Sequence, residues 1–404
     1  MKRVIIRIGS VADIGRGSSP RPITDKKYFE NGEIPWIKIA DATVSGKYIY
    51  KTKQYVNDLG ASYSRKMKPG TLILSASGSL GIPHFLGVEG CIHDGWIYMD
   101  NIHDIDKQYL YYLLLTMRPY FDNLSYGAAI QNINTSILSK TKIEVPSIQS
   151  QEKIGLMLSA YDNLIENNNK RIKLLEQMTE SLYKEWFVRF RFPGYKDVEF
   201  IDGFPKDWEK VKLDDVLNKI ATGLNPRKNF VLGEGKNFYV TIKNMADNTV
   251  YLDDKCDKVN DDAIIKINKR SDLKIGDLLF SGIGTIGRVC LIDIPTNNWN
   301  ISESVFTMRA NKKISSEFLY MLLLSQDVQN YCQSKANGSA QKGIRMGDLK
   351  KYTFLLPTKN VINDFTNQIS PILRNVSLLR NENKNLIQQR DMLLPRLMSG
   401  KLEV

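Results

Sequence analysis

Residues 67–86 read MKPGTLILSASGSLGIPHFL, and residues 273–292 read LKIGDLLFSGIGTIGRVCLI. The two stretches align without a gap. Lys68, Gly70, Leu72, Ser75, Gly78 and Gly81 meet Lys274, Gly276, Leu278, Ser281, Gly284 and Gly287. Most other positions exchange one apolar residue for another. The likeness extends outward in the same order: YLYYLLLT (109–116) matches FLYMLLLS (318–325), and GAAIQNINTSIL (127–138) parallels GSAQKGIRMGDL (338–349). Pro146 parallels Pro357, and upstream Gly17-x-Ser19-Pro20-Arg21 matches Gly223-x-Asn225-Pro226-Arg227. Repeats that keep their order over about half a chain mark a tandem duplication.

Each copy has two parts. Residues 1–148 and 209–357 carry short β-like runs bounded by Gly or Pro, such as 71–74, 278–280 and 289–292. One helix, about 108–118 and 316–332, interrupts each. Residues 149–188 and 358–404 are the helical parts, the second with a short tail. A linker, 189–208, holds Pro193, Gly194, Gly203 and Pro205. The expected class is α+β: two similar mixed α/β globular domains separated by two long antiparallel coiled-coil helices, a tandem repeat with a pseudo-twofold axis.

The coiled-coil reading comes from steps of four and three. Leu158, Tyr161, Ile165, Asn168, Ile172 and Leu175 form one seam; Val376, Leu379, Asn383, Leu386, Arg390 and Leu393 form the other. Pro371 is expected to restart the second helix and Pro395 to kink or end it. Parallel packing would strand each asparagine against an apolar residue. Antiparallel packing sets Asn168 on Asn383, Leu158 on Leu393, Ile165 on Leu386, Ile172 on Leu379 and Leu175 on Val376. Two buried amides then satisfy each other. The alternative is that both face solvent or a third helix. The topology implied puts the globular domains at opposite ends of a spacer whose seam runs about 25 Å. Met157, Leu164, Met178, Leu373, Ile387 and Leu394 flank the seam. They widen the apolar face beyond what two helices bury, so partner helices or the globular domains must cover it.

Composition narrows the function. Of 404 residues, 42% are hydrophobic and 25% charged, which excludes a disordered or collagen-like chain. Lys plus Arg exceeds Asp plus Glu by 56 to 44, a net +12 that favours a polyanionic partner. Cys91, Cys256, Cys290 and Cys332 are scattered and away from His84, His93 and His103 at ligand spacing, so a reducing, cytoplasmic setting is expected and zinc is not. No signal peptide is expected, because Arg7 interrupts the opening apolar run. No apolar stretch is long enough to span a bilayer.

Catalytic motifs fail one by one. Gly282-x-Gly284-x-x-Gly287 matches a dinucleotide fingerprint in letters, but β-like residues follow it where a helix is needed. It reads as a turn between strands. Gly46-Lys47, Gly235-Lys236 and Gly400-Lys401 are not followed by Ser or Thr, so there is no P-loop. No Pro-Pro dipeptide occurs, which removes the Asp/Asn-Pro-Pro-Tyr signature of amino-methyltransferases. Glu234-x-Lys236 and Glu382-x-Lys384 lack a placed partner acid. The chain reads as non-catalytic, with no metal site.

What remains are duplicated frameworks with divergent loops. Side chains that contact phosphates and base edges cluster there. In the first copy they are Arg16, Ser19, Arg21, Lys26, Lys27, Tyr48, Lys51, Ser77, Ser79, Gln131, Asn132 and Asn134. In the second they are Asn225, Arg227, Lys228, Lys243, Asn244, Thr285, Arg288, Gln341, Lys342 and Arg345. Each head would read a different DNA sequence. A protein-only coiled-coil scaffold is the competing class; it predicts no salt-dependent DNA affinity.

The residues resemble the specificity (S) subunit of type I restriction-modification systems over essentially the whole chain. The Gly-x-Ser-Pro and Gly-x-Asn-Pro starts and the Ser-x-x-Gly turns carry the resemblance. So do Leu182-Tyr183-x-x-Trp186-Phe187-x-x-Phe190 with Pro193, and the ending RDMLLPRLMSGK (390–401). Residues 148–152 fit the usual start of the first helix, whereas 358–361 depart from it. The resemblance implies two target recognition domains, each reading half of a split asymmetric double-stranded DNA site. It implies that the helices dock two methyltransferase (M) subunits carrying S-adenosylmethionine. Restriction (R) subunits, if present, would bring ATP and Mg. This chain would bind no cofactor itself.

Overall fold

The structure is a computed structural model that describes residues 3–42, 45–126, 132–336 and 342–404. The chain forms two compact units. One comprises Met1–Lys170 with Arg380–Val404, and the other Arg171–Leu379. Gln131 and Gln341 lie outside the described residues.

In the first unit a five-stranded sheet runs in the order Asp13–Arg16, Trp96–Asp100, Leu72–Ser75, Pro83–Leu86, Tyr48–Ile49. Neighbours are antiparallel except the last pair. A second sheet runs Tyr55–Val56, Ile34–Ile37, Gly90–Ile92, Arg65–Met67. Val4–Arg7 pairs with Lys142–Val145 and closes the domain. The second unit repeats the plan. Its main sheet runs Leu217–Thr222, Val305–Ala310, Leu278–Ser281, Val289–Leu291, its side sheet runs Asp257–Val259, Asn237–Val240, Trp299–Ile301, and Glu209–Lys212 pairs with Thr353–Leu356.

Three of the six identities of the repeat have a local cause. Ser75 and Ser281 each end a strand and fold a turn back on their own hydroxyl. Ser75 Oγ accepts from Ile82 N at 2.9 Å and donates to Ser79 O; Ser281 Oγ accepts from Arg288 N at 2.8 Å and donates to Thr285 O at 2.5 Å. Gly78, Gly81, Gly284 and Gly287 take φ of +68°, +70°, +78° and +92°, which a side chain would strain. The Gly282–Gly287 motif is therefore the turn between Leu278–Ser281 and Val289–Leu291.

Where one helix per copy is expected, there are two: Lys107–Thr116 and Arg118–Tyr126, then Ser316–Leu324 and Gln326–Lys335. Ser325 breaks the second pair, because its hydroxyl caps Val328 N at 3.5 Å instead of continuing the helix.

The long helices are Ile148–Tyr183, ending in a wider π turn at Lys184–Val188, and Lys359–Met398. The second corrects the expectation at proline. It runs unbroken through Pro371, and Pro395 lies inside its last turn. A mid-helix proline costs about 3 kcal/mol. Buried Phe365 and Ile369 before it and Val376 and Leu379 after it each return about 1.5–3 kcal/mol on burial, so packing wins.

The helices run antiparallel. In the first unit Leu158 shares a core with Leu393 and Leu397, and Asn168 meets Asn383. In the second, Ile172 and Leu175 pack with Val376 and Leu379, while Trp186 meets Phe365 at 5.6 Å between ring centroids. No described helix is long and apolar enough to cross a membrane.

Candidate nucleic-acid interface

In the first head, backbone contacts bring separate loops together. Gly17 N donates to Trp96 O at 2.9 Å and Ile133 N to Ala76 O at 3.1 Å. Gly17 passes so close to the segment after Gly90–Ile92 that a Cβ there would lie 2.2 Å from His93 O. This gathers Arg16, Ser19, Arg21 and Ser77 around the segment His93–Gly95, while Asn132 is exposed next to Ile133. Arg16 Nε donates to Asp94 O at 2.7 Å, Arg21 pairs with the Asp94 carboxylate, and Asp94 N donates to Ser19 Oγ at 3.3 Å. Ser77 and Ser79 edge the repeated turn, and Ser79 gives its carbonyl to Ser75. Lys26 and Lys27 are exposed on a neighbouring turn, Lys27 paired with Asp25 at 3.0 Å. That contact holds the Asp25 carboxyl below its ordinary range through hydrogen bonds from Lys27, backbone first.

The second head gathers its loops the same way. Gly223 N donates to Ser302 O at 3.2 Å, Gly284 N to Lys342 O at 2.8 Å and Ile344 N to Gly282 O at 2.8 Å. Arg227, Lys228, Lys243, Thr285, Lys342 and Arg345 are exposed on these loops.

Several candidates turn out to be committed elsewhere. Asn134 caps its helix by accepting from Ile137 N at 2.8 Å. Asn244 is buried and accepts from Thr241 N at 2.9 Å, the same brace that Asp41 supplies to Lys38 N at 2.8 Å in the first head. Arg288 NH1 donates to Ile242 O at 2.9 Å and to Met245 O, which ties it to the backbone. Asn229 Nδ2 donates to the Asn225 backbone carbonyl at 3.0 Å and to the Asn225 side-chain Oδ1 at 3.4 Å. Tyr48 stands away from the loop tip. It stacks near Tyr50 and Phe85 and lines a cleft with Asp106, Gln108, Glu152, Leu156 and Ser159; Lys51 is exposed just beyond. Sequence reasoning did not single out His93 and Asp94 as the centre of this loop crossing. The sequence reading takes His93 as a metal-ligand candidate alone, although the acid that follows it, Asp94, marks a charged tip. Among the described residues no cluster of potential metal ligands occurs.

The helix pair in the first unit carries more chemistry than its seam implies. Asn168 Nδ2 donates to Asn383 Oδ1 and to Glu382 Oε2, each at 3.1 Å, and Asn383 Nδ2 donates to Asn169 Oδ1 at 2.8 Å. Arg390 does not face an apolar seat. Its NH1 donates to buried Asp162 at 2.6 Å. Tyr112 also donates to Asp162, and Lys47 Nζ, 4.0 Å from it, donates to Tyr112 OH and Ser159 Oγ at 3.0 Å each. Burial pulls the Lys47 ammonium down to about 8, against the opposing pull of Asp162 and Asp106.

The seam residues Tyr161, Ile165, Leu175, Leu386 and Leu393 are half-buried. Of the flanking set, Met157, Leu164, Met178 and Ile387 are exposed, whereas Leu373 and Leu394 pack against the core of their own unit. Leu156, Leu174, Leu378 and Met392 are more exposed still, at 74%, 65%, 59% and 68%. They lie off the four–three pattern, which is why seam counting passed over them.

The sequence model of the type I restriction modification DNA specificity domain matches residues 3–177 and again residues 205–389. The chain belongs to this family. Two specificity domains in tandem account for the repeat. The "Type I restriction enzyme MjaIX specificity subunit" of Methanocaldococcus jannaschii is 25% identical over 98% of this chain and 93% of that one. The HindI specificity subunit of Haemophilus influenzae is 22% identical over 97% and 98%. The crystal structure of the S subunit from M. genitalium superposes with a TM-score of 0.61 at 16% identity, covering 98% of this chain and 96% of that one, a likeness of fold. The chain is thus a type I specificity subunit with two DNA recognition domains.

Proposed function

We propose that this specificity subunit reads a bipartite, asymmetric double-stranded DNA site, one half with each head, and contributes no catalytic group. The carrying observation is the contrast between matched frameworks and mismatched tips. Ser75 and Ser281 build the same turn, yet the first tip presents arginines clasped to Asp94 and the second presents Arg227, Lys228, Lys342 and Arg345 free of that acid. Identical scaffolds with different donors select different bases.

The exposed leucines and methionines of the helices, with Met157, Leu164, Met178 and Ile387, fit docking of two methyltransferase subunits. S-adenosylmethionine would be held there, and ATP with Mg by restriction subunits where the system has them. The assembly would work in the cytoplasm.

The test is an electrophoretic shift with the full chain and its methyltransferase partners, guided by methylome sequencing of a host with and without the gene. One bipartite methylated sequence should appear and should compete for binding. Exchanging residues 209–357 for those of a relative should change one half of that sequence. Sequence-blind binding would refute the proposal.

A further inference from the structure

Asp94 lies where the loops of the first head cross. Its Oδ1 is 3.0 Å from His93 Nε2, and its Oδ2 accepts from Arg21. Its backbone is held too, the N–H by Ser19 Oγ and the carbonyl by Arg16 Nε. His93 is itself fixed. Its Nδ1 accepts from Gly95 N at 2.9 Å, which leaves the ring proton on Nε2, facing the carboxylate. The Trp36 ring meets the imidazole edge-on at 5.5 Å. One carboxylate oxygen is therefore held from inside the fold, and the other faces an arginine whose side chain is 68% exposed.

An exposed arginine normally samples many rotamers and loses that freedom on binding. Here one NH2 donor is spent on Asp94, and the guanidinium keeps other donors for a partner. Guanine offers O6 and N7 as paired acceptors, which a pre-aligned arginine can meet bidentately. The second head lacks the device: the counterpart of Asp94, Glu303, takes the Tyr239 hydroxyl at 3.3 Å.

We propose that Asp94 is a positioning residue for base selection by the first head, holding Arg21 and Arg16 as a fixed pair so that Arg21 selects a guanine. The inference rests on the DNA reading above. A carboxylate at a DNA-facing tip repels phosphate, so its value lies in base choice and not in general affinity. Removing its charge should loosen selection without lowering sequence-independent binding, which a merely structural residue would not do.

The experiment selects duplexes from a random pool with the full chain bound to its methyltransferase subunits. Wild type, Asp94→Asn, Asp94→Glu and Arg21→Lys are compared, along with each protein's affinity for unselected DNA. Wild type should prefer guanine at one position of one half-site. Asp94→Asn and Arg21→Lys should both lose roughly tenfold or more of that preference at the same position. The other half-site should be unchanged, Asp94→Glu should recover part of the preference, and affinity for unselected DNA should not fall with Asp94→Asn. Retention of the preference in Asp94→Asn while Arg21→Lys loses it would overturn the proposal, as would equal blunting of both half-sites. A wild type with no base preference anywhere would instead overturn the DNA reading itself.

Discussion

Asp162→Asn should be the most damaging near-isosteric change in the first unit. Asp162 is 8% exposed and faces two cations, Arg390 at 2.6 Å and Lys47 at 4.0 Å, with the Tyr112 hydroxyl as a third donor. Asparagine keeps an acceptor for Tyr112 but removes the charge. The Lys47 contribution is bounded. Its ammonium already sits near 8, and once its folded value falls below the pH of measurement it simply sheds its proton. At pH 7 that leaves about one further unit, about 1.4 kcal/mol. Weakening the charge-assisted bond to Arg390 adds about 1–1.5 kcal/mol. The total is about 2.5 kcal/mol, a fall in Tm of about 5–10 °C for a unit of this size. Scanning calorimetry of the full chain at pH 7 measures it. Asp391→Asn is the control, because Asp391 also binds Arg390 but is 55% exposed, and it should stay within about 0.5 kcal/mol of wild type. Asp162→Asn combined with Lys47→Met should recover the lysine share. If Asp162→Asn proves as mild as Asp391→Asn, the buried network does not hold this unit together.

Because burial depresses Lys47 to about 8, the unfolded chain binds one more proton than the folded one between about pH 8 and 10.5. Stability should therefore rise with pH across that window, by at most about 3 kcal/mol, and urea titrations of Lys47→Met should lose the rise. Asn168→Leu or Asn383→Leu alone should cost about 1–3 kcal/mol, because the remaining amide keeps its outer partner, Glu382 or Asn169, but loses the one inside the seam, while the double change should cost less than the two single changes summed; denaturant midpoints distinguish these. Arg288→Ala should lower the Tm of the second unit, since it removes donors to Ile242 O and Met245 O. Arg227→Ala should leave Tm unchanged and reduce the salt dependence of DNA binding by about one phosphate contact.

The repeat was legible because turns and strands obey local chemistry. Ser75 and Ser281 fold their turns on their own hydroxyls, and glycines at positive φ leave no substitute, so letters survive where geometry is forced. The antiparallel helices were legible from one polar pair, because a buried amide tolerates few neighbours. The loop residues were less legible. Asn134, Asn244 and Arg288 carry the side chains expected at a DNA edge, yet each is occupied in bracing the backbone a few residues away or across the head. Donor chemistry is the same for both tasks, and only the fold decides which partner arrives first. Pro371 misled for a related reason: its local cost is real, but buried Phe365, Ile369, Val376 and Leu379 outweigh it through contacts distant in sequence. Arg390 occupied a seam position by count, and its partner Asp162 could be recognised only once the two helices were paired.

The sequence repeat and the folded unit are also not the same object. The first unit draws its core from residues 1–170 and closes it with Leu397 and Met398, which are 0% and 5% exposed among Leu158, Tyr109 and Ile143. Arg3 NH2 donates to Met398 O at 2.7 Å, so strand-side residues near one end of the sequence grip a helix near the other. Terminal residues are ordinarily the most dispensable. Here the last turn of the second helix is core for the part of the chain most distant from it in sequence. Leu397→Ala should cost about 2–5 kcal/mol, the range for a fully buried leucine. Removing residues 391–404 should cost more, because Leu393, Leu394 and Met398 go with it. Hydrogen exchange followed by mass spectrometry should show protection lost in Leu72–Ser75 and Trp96–Asp100 and kept in Leu278–Ser281 and Val305–Ala310. Loss confined to the truncated helix, with the first sheet unaffected, would mean that the closing turn is an accessory and that the first repeat holds its core alone.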